Sequence, residues 1–341
     1  MSTFINHLGS LLKLNMIKDT FGRVHNYLRI SLTDNCNLRC FYCMPDEKYT
    51  FAPAAKLMQV GEIETLVKLF ISQGVNKIRL TGGEPLVRKD APKIIDVLGK
   101  LGVELAITTN GIRIDEMLDE LLAANISAFN ISLDTLQPHK FLRITRRDLY
   151  HRVRANIELL LHNGIHPKIN VVVMKGLNDN EILDFIALTK HYPIEVRFIE
   201  FMPFRGNKWT SNKVFTLHEI LKLIHSKFDA IPVEGKLNDT AKHYMIPGHA
   251  GCFAIISTMS APFCETCNRM RLTADGKLKN CLFSKTETDL LGALRRGEEI
   301  LPLINTSIRD KAQALGGQFS GVFANIDATQ IENRSMITIG G

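Results

Sequence analysis

The sequence predicts an α/β fold: an incomplete (β/α)6 TIM-like barrel whose open side is closed by a C-terminal extension. Three observations lead to this prediction. Short β-branched runs alternate with amphipathic stretches, as in a parallel sheet. Six strand–helix units can be recognised, fewer than the eight of a closed barrel. The alternation fades near residue 205, and a group of cysteines lies beyond that point.

The strands are predicted from runs rich in Val, Ile, Thr and aromatic residues. They cover 27–33, 77–81, 103–109, 127–133, 168–174 and 194–200. The stretches between them repeat apolar residues at helical spacing. These predicted helices cover 61–73, 90–101, 115–124, 150–163 and 180–190. After residue 205, the stretches KWTSNK, EGKLNDTAKHY and PGHAG are interpreted as loops.

Three regions are predicted: an N-terminal extension at 1–15, the barrel at 16–230 and a C-terminal region at 231–341. No apolar run is long enough to cross a bilayer, and the first fifteen residues lack the features of a signal peptide. We therefore expect a cytoplasmic protein with no membrane partner. The net charge of +7 favours an anionic substrate but is weak evidence alone.

Six of the seven cysteines fall into two groups of three, and the seventh, Cys252, has no near neighbour in the sequence. In a reducing cytosol such spacing indicates metal binding and not disulfides. Three thiolates can hold three corners of a [4Fe–4S] cluster and leave the fourth iron open. For the first group, the alternatives are a zinc site that borrows a distant histidine and three buried cysteines without a metal. The groups are Cys36, Cys40 and Cys43, and Cys264, Cys267 and Cys281.

The first group, CxxxCxxC with Tyr42 before its last cysteine, resembles the hallmark of the radical S-adenosylmethionine (SAM) superfamily. The resemblance implies that SAM binds the open iron and supplies a 5′-deoxyadenosyl radical that abstracts an unactivated hydrogen. The TGGEP turn at 81–85 supports it, with Gly83 facing the methionine amino group. Tyr42, Ser132 and Met202 are the other SAM contacts that the resemblance implies.

The second group lies in CETCNRMRLTADGKLKNCLF, residues 264–283. A zinc knuckle completed by His243 or His249 is an alternative interpretation of this segment. Arg269 and Arg271 alternate on an extended segment and so point to one side, where both guanidiniums can bind phosphate. A solvated basic strand remains the other possibility.

This second segment, together with TDNCNLRCFYCMP, RLTGGEP, TTNG and the final Gly-Gly, resembles the GTP 3′,8-cyclase family of molybdenum cofactor biosynthesis. The resemblance runs from about Met16 onward. It implies a second [4Fe–4S] cluster whose open iron binds the guanine of GTP. The radical then takes hydrogen from ribose C3′, and the C3′ radical attacks guanine C8 to give (8S)-3′,8-cyclo-7,8-dihydro-GTP.

Residue roles follow from the same resemblance. Arg197 neutralises phosphate or positions the ribose, and the Gly340–Gly341 segment enters the site to help the reaction. A tail without a role is the alternative for the two glycines. The implied GTP contacts are Arg29, Arg79, Thr108, Lys168, Arg269, Met270 and Arg271.

The resemblance further implies cyclic pyranopterin monophosphate synthase as the downstream enzyme and a reductant such as flavodoxin or ferredoxin; a homodimer is also possible. Two other functions stay open at this point. One is a peptide-modifying radical SAM enzyme with an auxiliary cluster, although such enzymes usually carry more cysteines in a longer extension. The other is a zinc-stapled nucleic-acid-binding protein, which the lack of aromatic residues in the basic stretches disfavours.

Overall fold

The computed structural model describes residues 16–46, 48–126, 128–319 and 323–341; the predicted extension at 1–15 lies outside the described residues. Within these ranges twelve strands form one sheet. The strands are β1 (Tyr27–Ser31), β2 (Lys77–Thr81), β3 (Glu104–Thr109), β4 (Ala128–Ser132), β5 (Lys168–Val173), β6 (Glu195–Glu200), β7 (Ile231–Val233), β8 (Lys242–Met245), β9 (Cys252–Ile256), β10 (Arg269–Leu272), β11 (Lys277–Lys279) and β12 (Thr288–Asp289).

The helices pack around the strands that the repeating units supply. They are α1 (Val60–Ser72), α2 (Ala91–Gly99), α3 (Ile114–Ala123), α4 (Pro138–Thr145), α5 (Tyr150–His162), α6 (Ile182–His191), α7 (Leu217–His225), α8 (Leu290–Arg295), α9 (Ile300–Arg309) and α10 (Met336–Ile339). None of the helices in the described ranges is both long and apolar enough to span a membrane.

The six predicted strands are confirmed as β1 to β6, which lie side by side in chain order and run parallel. Their helices cover one face, so the strands are buried by apolar side chains such as Phe129 and Phe198, both fully enclosed. The order of the twelve strands is β12-β11-β10-β1-β2-β3-β4-β5-β6-β9-β8-β7. The predicted fold, a six-unit barrel with a C-terminal extension, is confirmed.

The C-terminal region adds strands to both edges of the six-stranded unit. On one side β10 runs parallel to β1, and on the other β9 runs parallel to β6. A single sheet therefore crosses the predicted boundary between 16–230 and 231–341, and that boundary stays a prediction. The pairing also brings the RMR segment of β10, residues Arg269 to Arg271, beside β1 and in register with it.

Two expectations about local structure were wrong. Helix α4 was not predicted, because it is short and its buried face is carried by few side chains, chiefly Phe141 and Ile144. The interpretation of EGKLNDTAKHY as loop was wrong at its last three residues, 242–244, which belong to β8. This strand lies near the sheet edge and is largely exposed, so it shows no apolar alternation.

Candidate active site

One cavity of about 820 Å³ lies at the centre of the barrel, and both cysteine triads border it. Nearly every residue predicted from the sequence as a site residue also borders it. These are Arg29, Cys36, Cys40, Tyr42, Cys43, Arg79, Gly83, Thr108, Ser132, Lys168, Arg197, Met202, Cys264, Cys267, Arg269, Arg271, Cys281 and Gly341. The fold thus brings both cysteine motifs to one cavity.

The first triad lies on the loop that follows β1. Its cysteine turn is closed by main-chain bonds from Cys43 and Met44 to the oxygen of Cys40, at 3.0 and 2.8 Å. The amide of Arg39 donates to Thr145 at the end of α4, at 2.9 Å. Helix α4, which was not predicted, therefore anchors the cysteine loop against the barrel.

Buried acids surround the first triad. The Tyr42 hydroxyl donates to Asp134 (2.6 Å), and burial raises the pKa of Asp134 to about 6. Burial, with the negative charge of Glu84 beside it, raises the pKa of Cys36 to about 11. Burial likewise raises the pKa values of Cys40 and Cys43 above their usual range. These thiols need a cationic partner, such as iron, to be held as thiolates.

The TGGEP turn packs on the loop that carries the first triad. A Cβ added to Gly83 would lie 2.4 Å from the main-chain oxygen of Asn35, so only glycine fits there. The Gly83 amide donates to Thr33 (2.6 Å), and the Glu84 carboxylate accepts from the Asn110 amide (2.6 Å). The two glycines are therefore needed for backbone packing, while Gly83 also borders the cavity; its contact with SAM stays a prediction.

The second triad is contacted by three N–H donors. The Leu315 amide donates to Cys264 Sγ (3.4 Å), and Arg269 Nη2 and Lys311 Nζ donate to Cys267 Sγ at 3.3 and 3.6 Å. Burial alone would raise the pKa of Cys267, but the charges of Arg269 and Lys311 outweigh it and lower the pKa to about 6. The lowered pKa favours the thiolate form of Cys267 at neutral pH.

The donor sets fit two iron–sulfur clusters. All six cysteines are free thiols and partly buried, and each triad supplies three sulfurs to the same cavity. No group of three or more His, Cys, Asp and Glu side chains in the described ranges could hold a single metal ion. A [4Fe–4S] cluster held by three cysteines keeps one iron open, and each triad supplies that number of sulfurs.

Four arginines form one wall of the cavity. Arg29 lies in register between Arg79 on β2 and Arg271 on β10, and Arg269 is next along the same face. None of the four forms an ion pair with an Asp or Glu among the residues that the structure describes. Burial and the charge of Arg271 lower the pKa of Arg29 well below its usual range. Such a concentration of positive charge is suited to a polyanion.

The opposite wall carries two further cations that are already paired. Glu195 accepts from Lys168 Nζ (3.0 Å) and from Arg197 Nε (2.5 Å). Both cations border the cavity. Burial would raise the pKa of Glu195, but Arg197 and Lys168 lower it below its usual value, so the carboxylate stays charged.

The Gly340–Gly341 segment lies against the arginine wall. Arg29 Nη2 donates to the main-chain oxygen of Gly341, and Arg271 Nη1 donates to that of Gly340. Gly341 borders the cavity, whereas Gly340 packs against Thr81 and Ser31. The segment therefore enters the site in this structure; its part in the reaction stays a prediction.

Met270 is the predicted contact that the structure does not bring to the cavity. Its side chain is fully buried in the core, on the face of β10 opposite to Arg269 and Arg271. The reason is strand alternation, which turns every second side chain away from the site. The Met270 side chain therefore does not border the cavity, and the contact of this residue with GTP stays a prediction.

Three residues of the site were missed. Asn110 directly follows β3 and Asp134 lies just beyond β4, so a search for polar residues at strand ends could have found both. Lys311 gives no such signal. It follows α9 in an ordinary polar stretch, and only the fold places it behind Cys267.

Comparisons with known proteins agree with this geometry. Residues 30–189 match the family model of the Radical SAM superfamily, and residues 194–316 match that of Molybdenum Cofactor Synthesis C. The structure of Streptococcus suis SuiB bound to S-adenosylmethionine superposes with a TM-score of 0.63 at 15% identity, covering 90% of this chain and 72% of that one. At this identity the likeness confirms the fold alone.

Curated relatives are much more similar in sequence. Molybdenum cofactor biosynthesis protein 1 of Mus musculus is 46% identical over 95% of this chain, which spans 51% of that relative's length. The chain thus covers about half the length of the first relatives it matches. The mitochondrial GTP 3′,8-cyclase of Arabidopsis thaliana is 46% identical over 96% of this chain and 84% of its own length. The GTP 3′,8-cyclase of Peptoclostridium acidaminophilum is 41% identical over 96% of this chain and 99% of its own length. Both motifs border one cavity, and two GTP 3′,8-cyclases are covered over 84% and 99% of their length, so this chain belongs to the GTP 3′,8-cyclase family of the radical SAM superfamily.

Proposed function

We propose that the protein is a lyase that converts GTP into (8S)-3′,8-cyclo-7,8-dihydro-GTP, the first step of molybdenum cofactor biosynthesis. The observation that carries this proposal is one cavity bordered by two cysteine triads and by a wall of four arginines that have no Asp or Glu partner among the described residues. One triad alone would support many radical SAM reactions. The second triad, with Arg269 and Arg271 beside it, adds a place for a purine and its phosphates.

Each group of residues has a task in this proposal. Cys36, Cys40 and Cys43 would hold one [4Fe–4S] cluster, with Tyr42, Gly83, Ser132 and Met202 around SAM; Cys264, Cys267 and Cys281 would hold the other. When bound, the clusters and SAM supply the one-electron chemistry that removes an unactivated hydrogen. The chain's own contribution is to position the ribose between the two triads and to exclude water.

The cations at the two walls bind the triphosphate. Arg29, Arg79, Arg269 and Arg271 have no Asp or Glu partner among the described residues, so their positive charge is suited to phosphate oxygens. Arg197 and Lys168 lie on the opposite wall and are oriented by Glu195. Thr108 Oγ1 is buried without a hydrogen-bond partner among the described residues and is free to bind the nucleotide.

The partners follow from the reaction. Cyclic pyranopterin monophosphate synthase would take up the product, and a reductant such as flavodoxin or ferredoxin would supply electrons. A cytoplasmic location and a homodimer belong to the same proposal. No nucleic-acid or membrane partner is needed.

The test is an anaerobic incubation of the iron-loaded protein with GTP, SAM and a reductant. We expect 5′-deoxyadenosine and a cyclised nucleotide in matching amounts. 5′-Deoxyadenosine without any loss of GTP would overturn the proposal in favour of another radical SAM reaction.

Measurement of the metal content is a second test of the proposed function. We expect about eight irons and eight sulfides per chain, falling to about four in either triple Cys→Ala variant. Cys252→Ser is the matched control, because Cys252 is a free, partly buried thiol on β9 outside both triads, and it should retain all of the iron. Two zinc ions in place of iron would refute the cluster assignment.

A further inference from the structure

Lys311 is a buried cation directly behind the second triad. Only 4% of its surface is exposed, and its Nζ lies 3.0 Å from the main-chain oxygen of Arg269 and 3.6 Å from Cys267 Sγ. Burying an ammonium group is costly unless an anion compensates for the lost hydration. The function of Lys311 therefore depends on which anion lies beside its ammonium group.

Within the described residues, the sulfur of Cys267 is the candidate counter-charge in contact with Lys311. Among the residues that the structure describes, no Asp or Glu oxygen lies within 4.0 Å of the Lys311 ammonium. The neighbouring cations Arg23 and Arg269 make the surroundings still more positive. A thiolate at Cys267, held by iron, supplies the negative charge that this lysine requires.

Lys311 cannot serve the substrate directly. It does not border the cavity, whereas Arg269 and Arg271 do. From outside the cavity lining, its ammonium group contacts the sulfur of Cys267 and the main-chain oxygen of Arg269. This position separates the task of Lys311 from phosphate binding.

The first triad has more acidic surroundings, although one cation, Arg39, lies beside Cys36 and bonds to its main-chain oxygen. Its sulfur contacts are neutral: the Leu38 amide at 3.4 Å and the Asn110 side-chain amide at 3.8 Å, both to Cys36. Buried carboxylates, Asp134 and Glu84, lie near its thiols. Positive charge and N–H···S bonds favour the reduced, more negative state of a cluster, and nearby anions disfavour it.

We propose that Lys311 sets the redox properties of the second centre, raising its reduction potential above that of the first. The inference rests on the proposed occupation of both triads by [4Fe–4S] clusters. Lys311 is a positioning residue, which acts on the cluster through Cys267 and touches neither substrate nor reacting atoms. Under limiting reductant, the second centre is then the first to be reduced.

The test uses proteins that retain one triad each, so that one cluster gives the signal. Reductive titration is followed by electron paramagnetic resonance, without GTP or SAM. We expect a higher midpoint potential in the protein that retains only the second triad than in the protein that retains only the first. Equal potentials, or the reverse order, would overturn the proposal.

The lysine is then tested in the protein that retains only the second triad. Lys311→Met should lower the ratio of reduced to oxidised cluster about tenfold at a fixed potential, or about 59 mV for one electron. Lys311→Arg should keep the original potential. Arg309→Met, which removes an exposed cation two positions away, is the matched control and should have no effect.

An unchanged potential in Lys311→Met, with four irons retained, contradicts the proposal. If that variant loses its iron, the comparison of the two single-triad proteins decides alone. A lysine-dependent potential in a protein that leaves GTP unchanged would refute the proposed function but not this inference.

Discussion

Arg271 on β10 donates from Nη1 to the main-chain oxygen of Gly340, and this bond connects the arginine wall to the Gly340–Gly341 segment. Gly340 has a φ of +89°, which side chains rarely allow. A Cβ at this position would lie 2.7 Å from Thr81 Oγ1 and 2.9 Å from Ser31 Cβ. The segment can therefore keep its place against Arg271 only with glycine here.

The first prediction concerns this glycine. Gly340→Ala should displace the segment from the cavity and lower the rate of GTP cyclisation at least about tenfold, a change of about 1.4 kcal/mol in the activation free energy. The iron content should not change. Gly297→Ala is the control, since Gly297 has a similar φ of +73° but open space around it. A Gly340→Ala protein with full activity would contradict the proposed role of the segment.

The second prediction concerns the RMR segment. Arg269→Ala and Arg271→Ala should each weaken GTP binding by about tenfold or more, because a charge-assisted hydrogen bond contributes about 1.5–3 kcal/mol. SAM cleavage should persist, since the first triad is untouched. Anaerobic calorimetry gives the affinity, and 5′-deoxyadenosine release gives the cleavage. Arg296→Ala, which removes an exposed arginine paired with Glu298, is the control. Unchanged affinity in both variants would place the phosphate contacts elsewhere.

The third prediction concerns Glu195. Its carboxylate neutralises part of the charge of Lys168 and Arg197, and it also repels phosphate. Glu195→Gln keeps the shape but removes the negative charge. We expect GTP to bind at least about fivefold more tightly, a gain of about 1 kcal/mol, in the same calorimetric assay.

Glu298→Gln is the control for Glu195, because this exposed carboxylate lies in an ion pair far from the cavity lining. Weaker GTP binding in Glu195→Gln would show that orientation of the two cations matters more than their net charge.

The fourth prediction concerns pH. Burial, together with the charge of Lys311, lowers the pKa of His25 to about 4; Asp19 opposes this shift and Arg23 adds to it. The unfolded chain binds a proton near pH 6.5, so stability is lost as the pH falls from 6.5 towards 4. Between pH 7.5 and 5.5 the His25 contribution to the free energy of unfolding should fall by about 1.3 kcal/mol.

Anaerobic urea unfolding at the two pH values checks the role of His25. His25→Gln should reduce the pH-dependent loss by that amount, whereas His225→Gln, at an exposed position, should leave it unchanged. Equal pH dependence in the wild type and in His25→Gln would show that His25 titrates alike in both states.

The sequence predicts the barrel well because its six strands are regular and buried, so that local patterns and packing agree. The cysteine triads are equally visible, since ligand spacing is local. That both triads border one cavity cannot be predicted from local spacing. It depends on β10 pairing with β1, and the pairing of Arg29 with Arg271 joins positions too distant for any periodicity to reveal.

Other features were hidden for related reasons. Met270 lies between two cavity-facing arginines in the sequence, but strand alternation buries it. Lys311 has an ordinary sequence context, and its importance arises only from the fold. Glu195 resembles any strand-end carboxylate until Lys168 and Arg197 are seen on either side of it.

Arg23 donates to the main-chain oxygens of Cys264 and Gln313, both at 2.7 Å. It therefore connects two segments that are synthesised much later than Arg23 itself. Arg23 and Cys264 are separated by 241 positions. A nascent polypeptide can therefore display the first trio of thiols early but cannot assemble the second pocket until translation has passed residue 313. We therefore expect the pocket of the second triad to form only after residue 313 has been made.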